Sequence, residues 1–268
     1  MKRNVMVMGI LNLSSDSFYE ASRVFSEIEF RSKMDEMISD GADIVDIGLF
    51  SSRPGAEYVS PKEQFSRVEP YLHILRDEYL GKSRIELSFD TTSSEVVSRL
   101  YDYLGAFIVN DISASAEDEN MLPMVGRLSL KYVAMHMKGN PRTMQTLTQY
   151  DDVVVDVVEY FKRFDERASR FGVNNYIVDP GFGFSKTVSQ NYELLSNLDK
   201  LSLLNKEILV GISRKSMIYK LLGVSPDDTL SATSALHLYA LNKGASILRV
   251  HDVRQAKEVV SLYNALHQ

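Results

Sequence analysis

The sequence predicts an α/β protein, a single (β/α)8 TIM barrel over residues 1–268 with long loops after strands 1 and 2. Three observations predict it. Eight short apolar runs alternate with longer segments of helical period. Most of the helical segments close on a glycine, the usual C-terminal stop. The length, 268 residues, is close to the ~250 that such a barrel takes. Strand–helix alternation implies parallel strands with right-handed crossovers, and eight units close the common ring. A doubly wound open sheet is the rival arrangement of the same alternation.

Taken in order, residues 5–11, 43–48, 84–90 and 106–110 read as the first four strands, and 131–137, 175–179, 207–212 and 246–251 as the other four. Apolar runs this short read as strands buried on both faces. Helical spacing fills 27–40, 61–80, 93–104, 151–171, 188–203 and 230–243, and a last helix covers about 253–266. Gly41, Gly81, Gly105, Gly172 and Gly244 follow five of them. Residues 216–223 read as an extra short helix before the 230–243 segment. Two connections outrun what the alternation needs, 12–27 and 49–61, and loops of that length in a compact domain usually carry function. No linker, low-complexity tract or longer repeat divides the chain.

The formal net charge of −6 disfavours nucleic acid as the main ligand and a membrane surface as the main location. With no cysteine, disulfides, thiolate chemistry and Cys-ligated metals are excluded. No apolar run approaches the ~18 residues of a spanning helix. Met1-Lys2-Arg3 has the charge of a signal-peptide start, but the apolar run behind it is short, stops at Asn12 and has no small-residue cleavage site. That run reads as the first strand, and the protein as cytoplasmic.

In such a barrel the chemistry sits at the carboxyl ends of the strands. Those ends carry Asn12 with Asp16, Ser52 with Arg53, Asp90, Asn110 with Asp111, His136, Asp179, Lys215, and Arg249 with His251. At Tyr176-Ile177-Val178-Asp179-Pro180-Gly181-Phe182-Gly183, a buried strand runs into a carboxylate just where Pro and Gly turn the chain. An ionised carboxylate there is costly unless donors or a cation meet it. Eight polar ends in one register converge on one rim and predict a polar ligand site. The mix of acids, amide and base at Asp90, Asn110, Asp179 and Lys215 suits a flat heterocycle with amino, ring-nitrogen and carbonyl edges. Arg249 and His251 share a strand face at the last helix start, where such barrels often hold phosphate. Asn12 offers a carbonyl oxygen suited to a hard cation such as Mg²⁺. Ser216 opens a helix after Lys215, where backbone N–H groups can meet a carboxylate.

Plainer readings stand beside these. Asn12 and Asp16 also read as ordinary loop residues, Arg53 as a solvated loop charge and Asp111 as a cap on the next segment. His136, in a mostly apolar run, reads as a satisfied interior histidine, and Ser185-Lys186-Thr187 as loop surface.

The motifs together resemble the dihydropteroate synthases over nearly the whole chain. They are Met8-Gly9-Ile10-Leu11-Asn12-Leu13-Ser14-Ser15-Asp16-Ser17-Phe18, Gly41-Ala42-Asp43-Ile44-Val45-Asp46-Ile47-Gly48, Ser51-Ser52-Arg53-Pro54-Gly55-Ala56, Phe89-Asp90-Thr91, Val109-Asn110-Asp111, Met135-His136-Met137-Lys138-Gly139-Asn140-Pro141, Asp179-Pro180-Gly181-Phe182-Gly183-Phe184, Ser213-Arg214-Lys215-Ser216 and Arg249-Val250-His251-Asp252. The resemblance implies an enzyme of folate biosynthesis, and hence a sulfonamide target, joining 6-hydroxymethyl-7,8-dihydropterin diphosphate to p-aminobenzoate with release of diphosphate. It implies a pterin slot of Asp90, Asn110, Met135, Asp179, Lys215 and Arg249, and a p-aminobenzoate seat of Ser52, Arg53, Pro54, Phe184, Lys215 and Ser216. It implies a diphosphate pocket of Asn12, Arg249 and His251, with Mg²⁺ on Asn12. Asp16, Asp90, Lys215 and Arg249 are the implied catalytic residues, with Asp16 facing the reacting carbon, and the implied assembly is a homodimer.

The chain departs from the family's usual pattern in two loops. Ser14-Ser15 stands for Thr-Pro, Leu49-Phe50 stands for Gly-Glu, and Tyr19-Glu20-Ala21-Ser22-Arg23 stands where a Gly pair is usual. Those changes motivate an alternative reading, a pterin-binding relative without turnover. A corrinoid-dependent methyltransferase domain is a third reading, against which Ser213-Arg214-Lys215-Ser216 argues, since a methyl carrier needs no aminobenzoate seat.

Overall fold

The computed structural model of the protein describes residues 4–13 and 26–267. Eight strands run in chain order: β1 Met6–Asn12, β2 Ile44–Gly48, β3 Glu86–Asp90, β4 Ile108–Asp111, β5 Lys131–Met135, β6 Tyr176–Asp179, β7 Leu209–Val210 and β8 Ile247–Val250. All pair in parallel in the order β6-β5-β4-β3-β2-β1-β8-β7. The ring closes between the two outer strands through a parallel bridge, Val178 to Ile208, where the Val178 N–H donates to Glu207 O at 2.9 Å. The expected barrel is therefore the fold, and the open-sheet rival is excluded. β7 is shorter than the run 207–212, because the chain turns away after Gly211 and Lys215 N–H donates back to Ile212 O.

Between the strands lie α1 Glu27–Ser39, α2 Pro61–Val68, α3 Leu72–Ile74, α4 Ser94–Leu104, α5 Met121–Leu128, α6 Val153–Ser169, α7 Val188–Ser196, α8 Ser216–Leu222, α9 Leu230–Asn242 and α10 Val253–Leu266. Their starts follow side-chain chemistry. Ser26 and Thr187 form capping boxes with Glu29 and Gln190, and the Asp152 carboxylate accepts from Val154 and Val155 N–H. α8 is the expected extra helix.

Three helical expectations need correction. The segment 188–203 is α-helical only to Ser196 and continues as a 3₁₀ run over Leu198–Leu204. The segment 61–80 is not one helix. Pro70 has no N–H to continue the ladder, so the run passes through a 3₁₀ turn at Glu69–Tyr71 and ends as a π turn at Leu75–Tyr79. α5 has no counterpart in the sequence reading. It is only eight residues long and holds Pro123, tolerated in the first turn, and Gly126, where a Cβ would lie 1.9 Å from Phe171 O.

Most of the apolar core lies between strands and helices. A second, smaller set fills the barrel itself: Met8, Ile44, Ile108, Val133, Ile177, Leu209 and Ile247. These are neighbours in register, as in Met8↔Ile44, Val133↔Ile177 and Leu209↔Ile247. Side chains two residues further along point the same way. Those positions are Ile10, Asp46, Asn110, Met135, Asp179, Gly211 and Arg249. The barrel thus has an apolar floor and, one layer nearer the carboxyl ends, a polar one.

Candidate active site

The polar layer is held by a carboxylate that the sequence reading passed over. Asp46 is fully buried and accepts from Ser88 Oγ at 2.6 Å, Asn110 Nδ2 at 2.9 Å and Arg249 Nε at 2.7 Å. Arg249 Nη2 reaches Asp46 at 2.7 Å and Asp90 Oδ2 at 3.1 Å. Burial opposes the Arg249 charge, but Asp46 and Asp90 outweigh it and raise its pKa. The signal for Asp46 lay in the sequence as a charge flanked by Ile44, Val45 and Ile47.

Across the mouth, Asp179 is buried and its Oδ1 accepts the Gly181 N–H at 2.8 Å. Gly181 has φ +72°, and a Cβ there would lie 2.0 Å from His136 O, so the turn requires glycine. The half-buried Lys215 donates to Phe182 O at 2.6 Å, with its Nζ 4.4 Å above the Phe184 ring. Burial lowers the Lys215 pKa to about 8 against the pull of Asp179, and burial raises that of Asp179 against the pull of Lys215. Phe184 and Met135 belong to one small apolar cluster with Ile112, Met137 and Met144, against which Phe50 packs. Leu49 is fully buried, and its carbonyl accepts from Arg67 at 2.9 Å. The unusual Leu49-Phe50 pair is thus absorbed by packing rather than left as loop surface.

Asp90 is the most perturbed acid of the layer. Burial lifts its pKa to about 7, against the lowering pull of Arg249, and Asp46 adds to the rise. Its Oδ1 is buried without a hydrogen-bond partner among the described residues, so one lone pair of the site awaits a donor. Between 3.8 and about 7 the folded chain holds a proton at Asp90 that the unfolded chain releases. This site's contribution to stability therefore falls as pH rises through that window. Asp90→Asn is expected to raise Tm relative to wild type more at pH 7.5 than at pH 4.5, read by differential scanning calorimetry; an equal shift at both would refute the assignment.

Of the other residues singled out in the sequence, Asp16 lies outside the described residues. Asn12 ends β1, exposed, with Oδ1 so placed that a Cβ on Gly48 would meet it at 2.4 Å. His251 is exposed beyond β8, with Nδ1 3.2 Å from Ser213 Oγ. Arg249, two residues before it, has its guanidinium turned to Asp46 and Asp90 inside the barrel. Ser52 is half-buried and Arg53 and Pro54 are exposed in the loop after β2, which is tied to the loop after β5 by Gly55 N–H to Pro141 O at 3.2 Å. Ser216 is half-buried at the start of α8. Asp111 does cap its own turn, accepting from Ser113 and Ser115 N–H and from Tyr132 Oη. His136 is interior, and burial holds its pKa well below the usual imidazole value. The expectation for Ser185-Lys186-Thr187 is wrong in part. Thr187 is exposed, but Ser185 and Lys186 are buried, because their polar atoms find partners inside the loop cluster.

A closed barrel with this polar layer over an apolar floor is the build of a pterin binding enzyme, and residues 8–251 match the family model of that description. The chain is 40% identical to the dihydropteroate synthase of Escherichia coli over 97% of its own length and 90% of that protein's. It superposes with a TM-score of 0.91 on the Yersinia pestis dihydropteroate synthase in complex with a sulfonamide drug, at 35% identity, covering 98% of this chain and 94% of that one. With the Thermus thermophilus dihydropteroate synthase in complex with 4-aminobenzoate the TM-score is 0.85 at 35% identity, covering 98% and 95%. The chain belongs to the dihydropteroate synthase family.

Proposed function

We propose that the protein condenses 6-hydroxymethyl-7,8-dihydropterin diphosphate with p-aminobenzoate to give 7,8-dihydropteroate and diphosphate. The observation that carries this reading is the polar layer of Asp90, Asn110, Asp179, Lys215 and Arg249 at one mouth. It pairs acceptors for an amino and ring N–H edge with donors for a carbonyl. Asp179 and the open oxygen of Asp90 accept from the pterin, Asn110 and Lys215 donate to it, and Met135 lines the slot. Phe184, Lys215, Ser216 and the loop residues Ser52, Arg53 and Pro54 seat p-aminobenzoate.

The reaction is a substitution at the pterin methylene. The carbon–oxygen bond breaks, the diphosphate leaves with the electron pair, and the electron-rich pterin held by Asp179 spreads the positive charge. The aniline nitrogen lone pair forms the new carbon–nitrogen bond, and its proton passes to solvent. The arylamine is already nucleophilic, so the protein's work is positioning, charge stabilisation and exclusion of water. Asp16, placed by the resemblance at the reacting carbon, and Arg249 and His251, placed at the diphosphate, complete the assignment.

Among the described residues no three His, Cys, Asp or Glu side chains gather to cage a metal. Mg²⁺ would be held on the protein side by Asn12 Oδ1, a carbonyl-type oxygen suited to a hard cation. When bound, Mg²⁺ neutralises charge on the leaving diphosphate. Asn12→Ala is expected to raise the Mg²⁺ concentration for half-maximal rate; an unchanged Mg²⁺ dependence would remove Asn12 from that role. We also propose a cytoplasmic homodimer packed through barrel helices away from the mouth, where Leu221, Leu222 and Tyr239 are exposed, with sedimentation velocity as its test.

The activity is tested by incubating the protein with both substrates and Mg²⁺. Dihydropteroate and diphosphate are expected in equal amounts, with a sulfonamide competing against p-aminobenzoate. Pterin affinity without either product would sink the catalytic reading.

A further inference from the structure

Lys186 is a buried ionisable group with no part in the chemistry above. Lys186 is 6% exposed, and its Nζ meets three acceptors: His136 Nδ1 at 2.9 Å, Gly181 O at 3.0 Å and Phe184 O at 3.1 Å. Burial lowers the Lys186 pKa to about 7 against the pull of Asp179; in its ammonium form the side chain has three N–H donors, so this set is complete, and the imidazole then carries its own hydrogen on Nε2. The two carbonyls are the two ends of one turn. At its first residue, Gly181 N–H holds Asp179 Oδ1 at 2.8 Å. At its last, the Phe184 ring lies under Lys215 Nζ at 4.4 Å, while Lys215 also grips Phe182 O inside the turn. The turn has few other ties, chief among them Gly183 N–H to Asn191 Oδ1 at 2.7 Å. His136 follows β5 directly and is 2% exposed, with its ring edge against Tyr160, so the third acceptor is a fixed post.

We infer that Lys186 is a positioning residue: it clamps the 181–184 turn against the end of β5 and so fixes the Asp179 carboxylate and the Phe184 ring relative to each other. Asp179 belongs to the pterin seat and Phe184 to the p-aminobenzoate seat, so one buried side chain sets the registry of both substrates. The inference rests on the activity proposed above.

The test compares Lys186→Met with wild type in the full chain. The expected result is that KM for p-aminobenzoate and KM for the pterin diphosphate both rise about tenfold, and kcat falls. Affinity for 6-hydroxymethylpterin, measured by calorimetry without the second substrate, is expected to weaken alongside. Ser185→Ala is the control, since it removes a neighbouring hydroxyl that accepts Lys138 N–H at 2.9 Å and leaves the Lys186 contacts intact. It should lower Tm without moving either KM. A Lys186→Met protein that loses Tm but keeps both KM values, or a Ser185→Ala protein that shifts them equally, overturns the inference. Should Lys186→Met fail to fold, His136→Leu withdraws one acceptor of three, and both KM values must then rise by a smaller factor; unchanged values overturn it as well. A wild-type protein with no turnover removes the activity instead, and the calorimetric affinity then decides the role of Lys186 by itself.

Discussion

Asp46→Ala is expected to lower the free energy of unfolding by about 3–5 kcal/mol, the range for breaking a buried ion pair from one side. The reason is what stays behind. The Arg249 guanidinium would keep Asp90 at 3.1 Å as its remaining carboxylate contact, while the buried Ser88 Oγ and Asn110 Nδ2 would lose their acceptor. An unsatisfied buried donor costs about 1–3 kcal/mol, and a buried charge without its partner costs more. Asp46→Asn should also be poorly tolerated, because an amide turned toward Arg249 sets donor against donor. Urea unfolding at pH 7.5 measures the loss, and a difference below about 1 kcal/mol would falsify the claim that this carboxylate organises the layer.

For Asp179→Ala the large effect falls on binding instead. Pterin affinity should weaken by more than about 2 kcal/mol, roughly thirtyfold, because ligand donors that pair with a carboxylate in the complex would be buried unpaired. The same substitution should cost the free protein little. The carboxylate is buried and its pKa is raised, so keeping it ionised works against folding, and the main loss is the acceptor for Gly181 N–H. Weak binding combined with near-normal stability marks a residue kept for its ligand. Calorimetric titration with 6-hydroxymethylpterin and a thermal melt on the same sample test both halves, and unchanged affinity would take Asp179 out of the slot.

The parts of the fold that could be read in advance share a cause. Each strand is an apolar run ended by residues that turn the chain, and several helices end at a glycine, so period and punctuation agree. Where they disagree, tertiary contacts decide. Pro123 and Gly126 look like breakers, yet α5 forms, since the proline sits in the first turn and the glycine makes room for the Phe171 carbonyl. Pro70 does break its helix, which amphipathic spacing alone hides. Residues at strand ends were legible as a site because the barrel brings all such ends to one rim. Asp46 was not, because it lies inside its strand, two residues before the strand ends, where its partners come from β3, β4 and β8. Lys186 looked like loop surface because Ser-Lys-Thr is loop chemistry, and only the folded turn supplies its three acceptors. Leu49-Phe50 stood out as a departure from the family pattern, but nothing local indicated that both side chains would pack inward.

The apolar plug formed by Met8, Ile44, Ile108, Val133, Ile177, Leu209 and Ile247 makes the cavity above it a cul-de-sac. With no rear exit, whatever enters must leave by the door it came through. Asp179 and Asn110 are buried one layer above that dead end, whereas Arg53 and Pro54 are exposed. Under the proposed assignment, dihydropteroate and diphosphate must both leave by the mouth through which the two substrates came.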